Sequence, residues 1–126
     1  MIAVDTSALL AVALYEPQAP ACAIALKSDE LVISAVTLAE ALVVASRRGV
    51  GIQLGSLLDG LNFSVITVSQ STAERIAQIY DRWGKGVHPA ALNLGDCFAY
   101  DVARQHACKL LFVGKDFAKT DIESVL

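Results

Sequence analysis

The chain has 126 residues, of which 55% are hydrophobic and 18% charged, and a net charge of −3. That length fits one domain with a buried core, and the charge balance does not favour nucleic acid through bulk electrostatics, so any such contact must come from local patches. The low charged fraction leaves an apolar surface suited to an oligomer or a permanent partner. Cys22, Cys97 and Cys108 are odd in number and lack paired metal spacing, which fits a reducing interior. The apolar run Ala8 to Leu14, followed by Ala19-Pro20-Ala21-Cys22-Ala23, imitates a secretory leader. Its flank, however, carries Asp5 and no Lys or Arg. The run is also far short of the roughly 20 residues that span a bilayer. A soluble, unprocessed, cytoplasmic protein with no membrane contact is expected.

In chain order, residues 1–5 form a short apolar strand, and Asp5-Thr6-Ser7 offers capping groups to a helix over 7–14. Pro17 and Pro20 punctuate before a second helix over 19–27. Leu31 to Ser34 is the second strand; Thr37 then opens a helix to Arg48, ended by Gly49. Ile52 to Leu61 is a short helix and Phe63 to Val68 the third strand. Ser71 or Thr72 caps a helix to Trp83, and a Gly/Pro-containing loop runs from Gly84 to Leu94. Gly95-Asp96 opens a helix to Ala107, Lys109 to Val113 is the fourth strand, and Ile122 to Leu126 suits a short fifth. Strands alternating with helices specify an α/β domain over residues 1–126, with a short central parallel sheet of four or five strands and helices on both faces.

Asp5, Glu40, Asp96 and Asp116 stand where these strand runs end or the following helices begin. Each has a purely structural reading. Asp5 suits an N-cap, Thr37 with Glu40 matches a capping box, Asp96 suits a first-turn acid, and Asp116 suits a turn. None of these readings requires that all four lie along one edge of one parallel sheet, where ligands bind. Converging carboxylates repel each other unless a hard cation lies between them. Setting those four aside leaves nine acidic against ten basic side chains. The pattern points to a divalent-metal site and to phosphate-ester chemistry.

The motifs around these acids resemble those of the PIN-domain ribonucleases, and within them the VapC toxins of toxin–antitoxin pairs. Val4 to Leu10 looks like the first family motif and Ser34 to Glu40 the second. Asn93 to Tyr100 looks like the third, and is the most specific of the set; Leu111 to Asp121 looks like the fourth. The resemblance spans the whole chain. It implies a PIN domain with metal-dependent endoribonuclease activity, restrained by a VapB-type antitoxin, and a homodimer. It carries the family's catalytic acids onto Asp5, Glu40, Asp96 and Asp116, with Asp5, Asp96 and Asp116 as ligands of Mg2+ or Mn2+. Ser7 matches a small polar residue supporting the first acid, and Thr120 and Asp121 match the polar tail of the fourth motif.

Arg47, Arg48, Arg82, Lys85, Lys115 and Lys119 are candidates to steer RNA, with Lys115 and Lys119 best placed beside Asp116; a solvated surface is the plainer reading of each. His88 and His106 suit a loop and a helix end better than acid–base catalysis. Cys97 reads as a buried small side chain. Tyr100 and Trp83 fit core packing, with the site and a partner respectively as alternatives. A phosphoacceptor receiver domain would need an acidic pair at the first strand and an Asp after the third, where Ser69-Gln70-Ser71 stands. A haloacid-dehalogenase-type phosphatase would need an acid at Ser7. The remaining alternative is a non-catalytic RNA- or protein-binding module on the same scaffold.

Overall fold

The computed structural model describes residues Met1 to Leu126, built around a four-stranded parallel sheet. The strands are β1 (Ile2–Val4), β2 (Leu31–Ser34), β3 (Phe63–Ile66) and β4 (Lys109–Leu111), in the order β3-β2-β1-β4. Helices α1 (Thr6–Ala13) and α2 (Ala19–Ser28) join β1 to β2; α3 (Ala35–Arg47) and α4 (Gly51–Asp59) join β2 to β3. Helices α5 (Gln70–Trp83) and α6 (Leu94–Gln105) return the chain to β4.

Side chains alternate across a strand, so each strand feeds two cores. Ile2, Val4, Leu31, Ile33 and Leu111 pack against residues of α1 to α4. Ala3, Val32, Leu110 and Phe112 face the other way, against residues of α5 and α6. Helices therefore cover both faces, as the parallel pattern requires. Ala8, Ala11, Ala41 and Ala45 are fully buried, so the alanine-rich composition serves close helix packing. On the other face, Asp101 is buried and receives a bidentate pair from Arg75, Nε to Oδ1 at 2.8 Å and Nη2 to Oδ2 at 3.1 Å, tying α5 to α6.

Several local expectations need correction. The fifth strand is reduced to one parallel bridge between Leu110 and Ser124. Its hydrogen bonds are Leu110 N–H to Glu123 O at 2.9 Å and Val125 N–H to Leu110 O at 3.1 Å, because β4 is only three residues long. That strand stops at Leu111 where the sequence suggested Val113; the Val113 amide donates instead to Ser7 Oγ at 3.0 Å. Helix α3 begins at Ala35, capped by the Ser34 hydroxyl, which accepts from Val36 N–H at 3.2 Å. The expected Thr37–Glu40 capping box is therefore not formed: Glu40 lies in the second turn, and the buried Thr37 hydroxyl has no hydrogen-bond partner. Helix α5 is capped by Ser69, with Thr72 as the other half of a reciprocal box, where Ser71 or Thr72 was the expected cap.

The topology sets where a ligand can enter. From β1 the chain moves outward to β2 and β3, then crosses back to β4 on the other side of β1. This reversal opens a crevice beyond the carboxyl ends of β1 and β4.

Candidate active site

Asp5 follows the last residue of β1 and caps α1. Its Oδ2 accepts from Ser7 N–H at 3.0 Å and from the Ser7 hydroxyl at 2.6 Å. Ser7 Oγ in turn accepts from the Val113 amide, so β4's continuation fixes the hydroxyl that fixes the acid. Asp5 is only 4% exposed. Burial raises its carboxyl above the ordinary range, the Ser7 hydrogen bonds oppose that rise, and the charge of Glu40 adds to it. Capping occupies Oδ2 and leaves Oδ1 unpaired, so structural and chemical roles coexist in one side chain.

Asp96 is the third residue of α6 and is half-buried. It forms a capping box with Asn93: Asp96 N–H donates to Asn93 Oδ1 at 2.8 Å, and Asn93 N–H to Asp96 Oδ2 at 3.0 Å. Burial pushes the Asp96 carboxyl up from 3.8 to about 6; the Asn93 amide works against the rise, and the charges of Asp5, Asp116 and Glu40 reinforce it. All four acids thus share one electrostatic neighbourhood. Asp116 is exposed at the start of a short 3-10 turn (Phe117–Lys119) and makes no side-chain capping bond.

Glu40 reaches the cluster from α3. Its Oε1 accepts from the Thr6 hydroxyl at 2.8 Å; the same hydroxyl lies 3.1 Å from Thr37 O. Thr6 and Ser7 therefore divide their work: Ser7 holds the first acid and Thr6 the second. Sequence reasoning saw both hydroxyls as caps and missed the second task. The signal was a hydroxyl pair directly after Asp5, which is too common at helix starts to assign a long-range partner.

Other sequence candidates fall outside the cluster. Asp121 accepts from the Tyr100 hydroxyl at 2.6 Å and lies 3.9 Å from Arg104, further along α6. Tyr100 also accepts from Trp83 Nε1 at 3.2 Å, so it serves the core rather than the acids. Thr120 closes its own turn, donating to Phe117 O at 2.6 Å and accepting from Ile122 N–H at 3.2 Å. Arg47 and Arg48 end α3 about 10 Å along the axis beyond Glu40, on the run away from the site edge. Lys115 and Lys119 are exposed on either side of Asp116. His88 Nδ1 accepts from Ala90 N–H at 3.0 Å, and its ring packs edge-on to Trp83; His106 Nδ1 bonds Val102 O at 2.9 Å. Cys97 is fully buried.

The donor set is entirely carboxylate oxygen, and no Lys, Arg or His forms an ion pair with any of the four acids. No three side chains already converge on one point with metal-ligating geometry. A carboxylate-only donor set fits a hard divalent cation that prefers oxygen ligands.

The raised carboxyl of Asp96 has a signed consequence. Between pH 3.8 and about 6 the folded state binds more protons at this group than the unfolded chain. Stability of the metal-free protein from Asp96 should therefore fall as pH rises through that window. The difference in chemical-denaturation stability between wild type and Asp96→Asn, measured from pH 4 to 7, should show that slope; a flat difference would place Asp96 in a solvated setting.

The PIN domain family profile matches residues 2–123. Over 126 aligned residues the chain is 38% identical to Ribonuclease VapC30 of Mycobacterium tuberculosis, covering 97% of this chain and 96% of that one. Its fold is similar to the crystal structure of Mycobacterium tuberculosis VapC20, described as a sarcin-ricin loop cleaving toxin, with a TM-score of 0.78 at 16% identity and coverage of 97% and 96%. It is also similar to a chain of a toxin–antitoxin complex from Klebsiella pneumoniae, with a TM-score of 0.71 at 23% identity and coverage of 100% and 97%. The order of the motifs, the parallel sheet and the near full-length relationship agree: this chain belongs to the PIN-domain family, within its VapC ribonucleases.

Proposed function

We propose that the chain is the toxin endoribonuclease of a toxin–antitoxin pair, and that it hydrolyses RNA phosphodiester bonds at the acid cluster. The observation that carries this reading is the gathering of four carboxylates in one neighbourhood, with Asp5, Asp116 and Glu40 acting on Asp96 and none of the four held in an ion pair. Asp5, Asp96 and Asp116 hold Mg2+ or Mn2+, directly or through water. A bound ion supplies Lewis acidity at a phosphoryl oxygen and lowers the pKa of water at the site. Ser7 keeps Asp5 Oδ1 free by occupying Oδ2. Glu40 orients the attacking water and accepts its proton, and Lys115 and Lys119 draw the RNA backbone to the rim. Water attacks phosphorus in line, the P–O3′ bond breaks and the departing 3′-oxygen takes a proton from solvent, giving 5′-phosphate and 3′-hydroxyl ends. The ribose 2′-hydroxyl takes no part.

A VapB-type antitoxin is the partner. It lays a helix or extended tail across the exposed apolar side chains of the α1–α4 layer, among them Tyr15, Ile24, Val43 and Ile52, and brings a basic group to the acids. The chain works as a homodimer. No helix is long and apolar enough to cross a membrane.

The test is cleavage of single-stranded RNA by purified chain, with and without chelation. EDTA should abolish cleavage, and Mg2+ or Mn2+ should restore it. Cyclic-phosphate ends, or cleavage that survives thorough chelation, would overturn the metal-water reading. Metal binding without any cleavage would favour the binding-module alternative.

A further inference from the structure

Gly95 occupies the second position of α6, between Leu94 and Asp96. Its backbone has no positive φ, so the helix itself does not ask for glycine there. Alanine would favour a helix by up to about 1 kcal/mol. What excludes a side chain is Glu40. A Cβ built on Gly95 would lie 2.7 Å from Glu40 Oε2, 3.2 Å from its Cδ and 3.3 Å from Oε1. The Glu40 carboxylate therefore lies close against the first turn of α6, with the Thr6 hydroxyl on Oε1. That turn also presents the positive end of the helix dipole and unsatisfied amides, which favour a carboxylate.

We infer that Gly95 is a positioning residue: its missing side chain forms, with the Thr6 hydroxyl, a seat that holds the Glu40 carboxylate beside Asp96. The seat couples α1, α3 and α6, three elements far apart in sequence, to one carboxylate. A methyl group at Gly95 must push the flexible end of Glu40 away rather than move backbone, so the fold survives and the site changes. This inference rests on the ribonuclease reading only for its catalytic readout.

The experiment compares Gly95→Ala, Glu40→Gln and the double variant, with Thr6→Val and Thr6→Ser alongside. In metal-free protein, Gly95→Ala should keep or raise the Tm while shifting the 13C carboxyl resonance of Glu40. RNA cleavage should fall roughly 10- to 100-fold, the scale of a misplacement of about 1 Å. In the Glu40→Gln background the same alanine should cause no further loss, because coupled residues are not additive. Thr6→Val should reproduce the resonance shift, and Thr6→Ser should restore the wild-type position. A Gly95→Ala protein that fails to fold would show a backbone requirement and overturn the proposal. So would an unmoved Glu40 resonance, or an equal loss of cleavage with and without Glu40. If the wild type cleaves no RNA, the ribonuclease reading fails, while the seat is still judged by the resonance and Tm.

Discussion

Replacing Asp96 with asparagine is expected to lower RNA cleavage by roughly a thousandfold, the scale of several kcal/mol of lost metal-assisted stabilisation, while the Tm holds or rises. The two halves of this result have separate causes. The asparagine side-chain oxygen can still accept the Asn93 amide that Asp96 Oδ2 accepts at 3.0 Å, so the cap on α6 persists. The substitution removes a half-buried charge already pushed toward neutrality by burial and by Asp5, Asp116 and Glu40. Loss of that repulsion favours the metal-free fold. What disappears is the anionic oxygen proposed to hold a hard cation. Single-turnover cleavage and thermal melting on the same preparation separate these effects. Undiminished cleavage would remove Asp96 from the chemistry, and a collapsed Tm would make it a structural cap first.

Replacing Arg75 with methionine is the largest expected stability change: a loss of about 3 kcal/mol and a fall in Tm on the order of 10 °C. Asp101 is 3% exposed, and Arg75 provides both of its charge-assisted hydrogen bonds. Methionine fills the space of the arginine stem but leaves a buried carboxylate with no partner. The double change Arg75→Met with Asp101→Leu should recover most of the loss, because an apolar pair of similar volume leaves nothing unsatisfied. Urea unfolding of the wild type and the two variants measures this. A small effect of Arg75→Met alone would mean that water reaches Asp101. Residual cleavage by folded protein should change little, since Arg75 and Asp101 bond each other and none of the four acids.

Much of the site was legible because its acids are tied to strand ends. Asp5 was readable as both cap and metal candidate, and the structure keeps both options in one carboxylate by giving Oδ2 to Ser7. Glu40 was misread locally. Thr37 and Glu40 have capping-box spacing, but Ser34 takes the cap, and the acid is left for the long-range bond with Thr6. Asp121 matches the polar tail of the fourth motif, and the structure places it against Tyr100 and Arg104, past the 3-10 turn that follows Asp116. Arg47 and Arg48 were attractive as a basic pair, but a 13-residue helix carries them away from the edge where Glu40 sits. Gly95 drew no separate reading, since a glycine before a helix-start acid looks like punctuation until the Glu40 carboxylate is seen against it.

By itself the sequence determined the α/β class, the two-sided core and the sheet edge at which the acids must gather. These follow from short-range rules: alternating burial along strands, helix spacing, and the requirement that a parallel strand be reached by a crossover. Tertiary structure alone decided that the Thr6 hydroxyl serves Glu40, that β4 ends early to give Val113 to Ser7, and that Gly95 must stay bare. The Thr6–Glu40 and Ser7–Val113 hydrogen bonds join residues 34 and 106 positions apart, and no local pattern can choose among the donors the chain could fold together. Packing makes that choice, by bringing one hydroxyl or one amide within reach and excluding the rest.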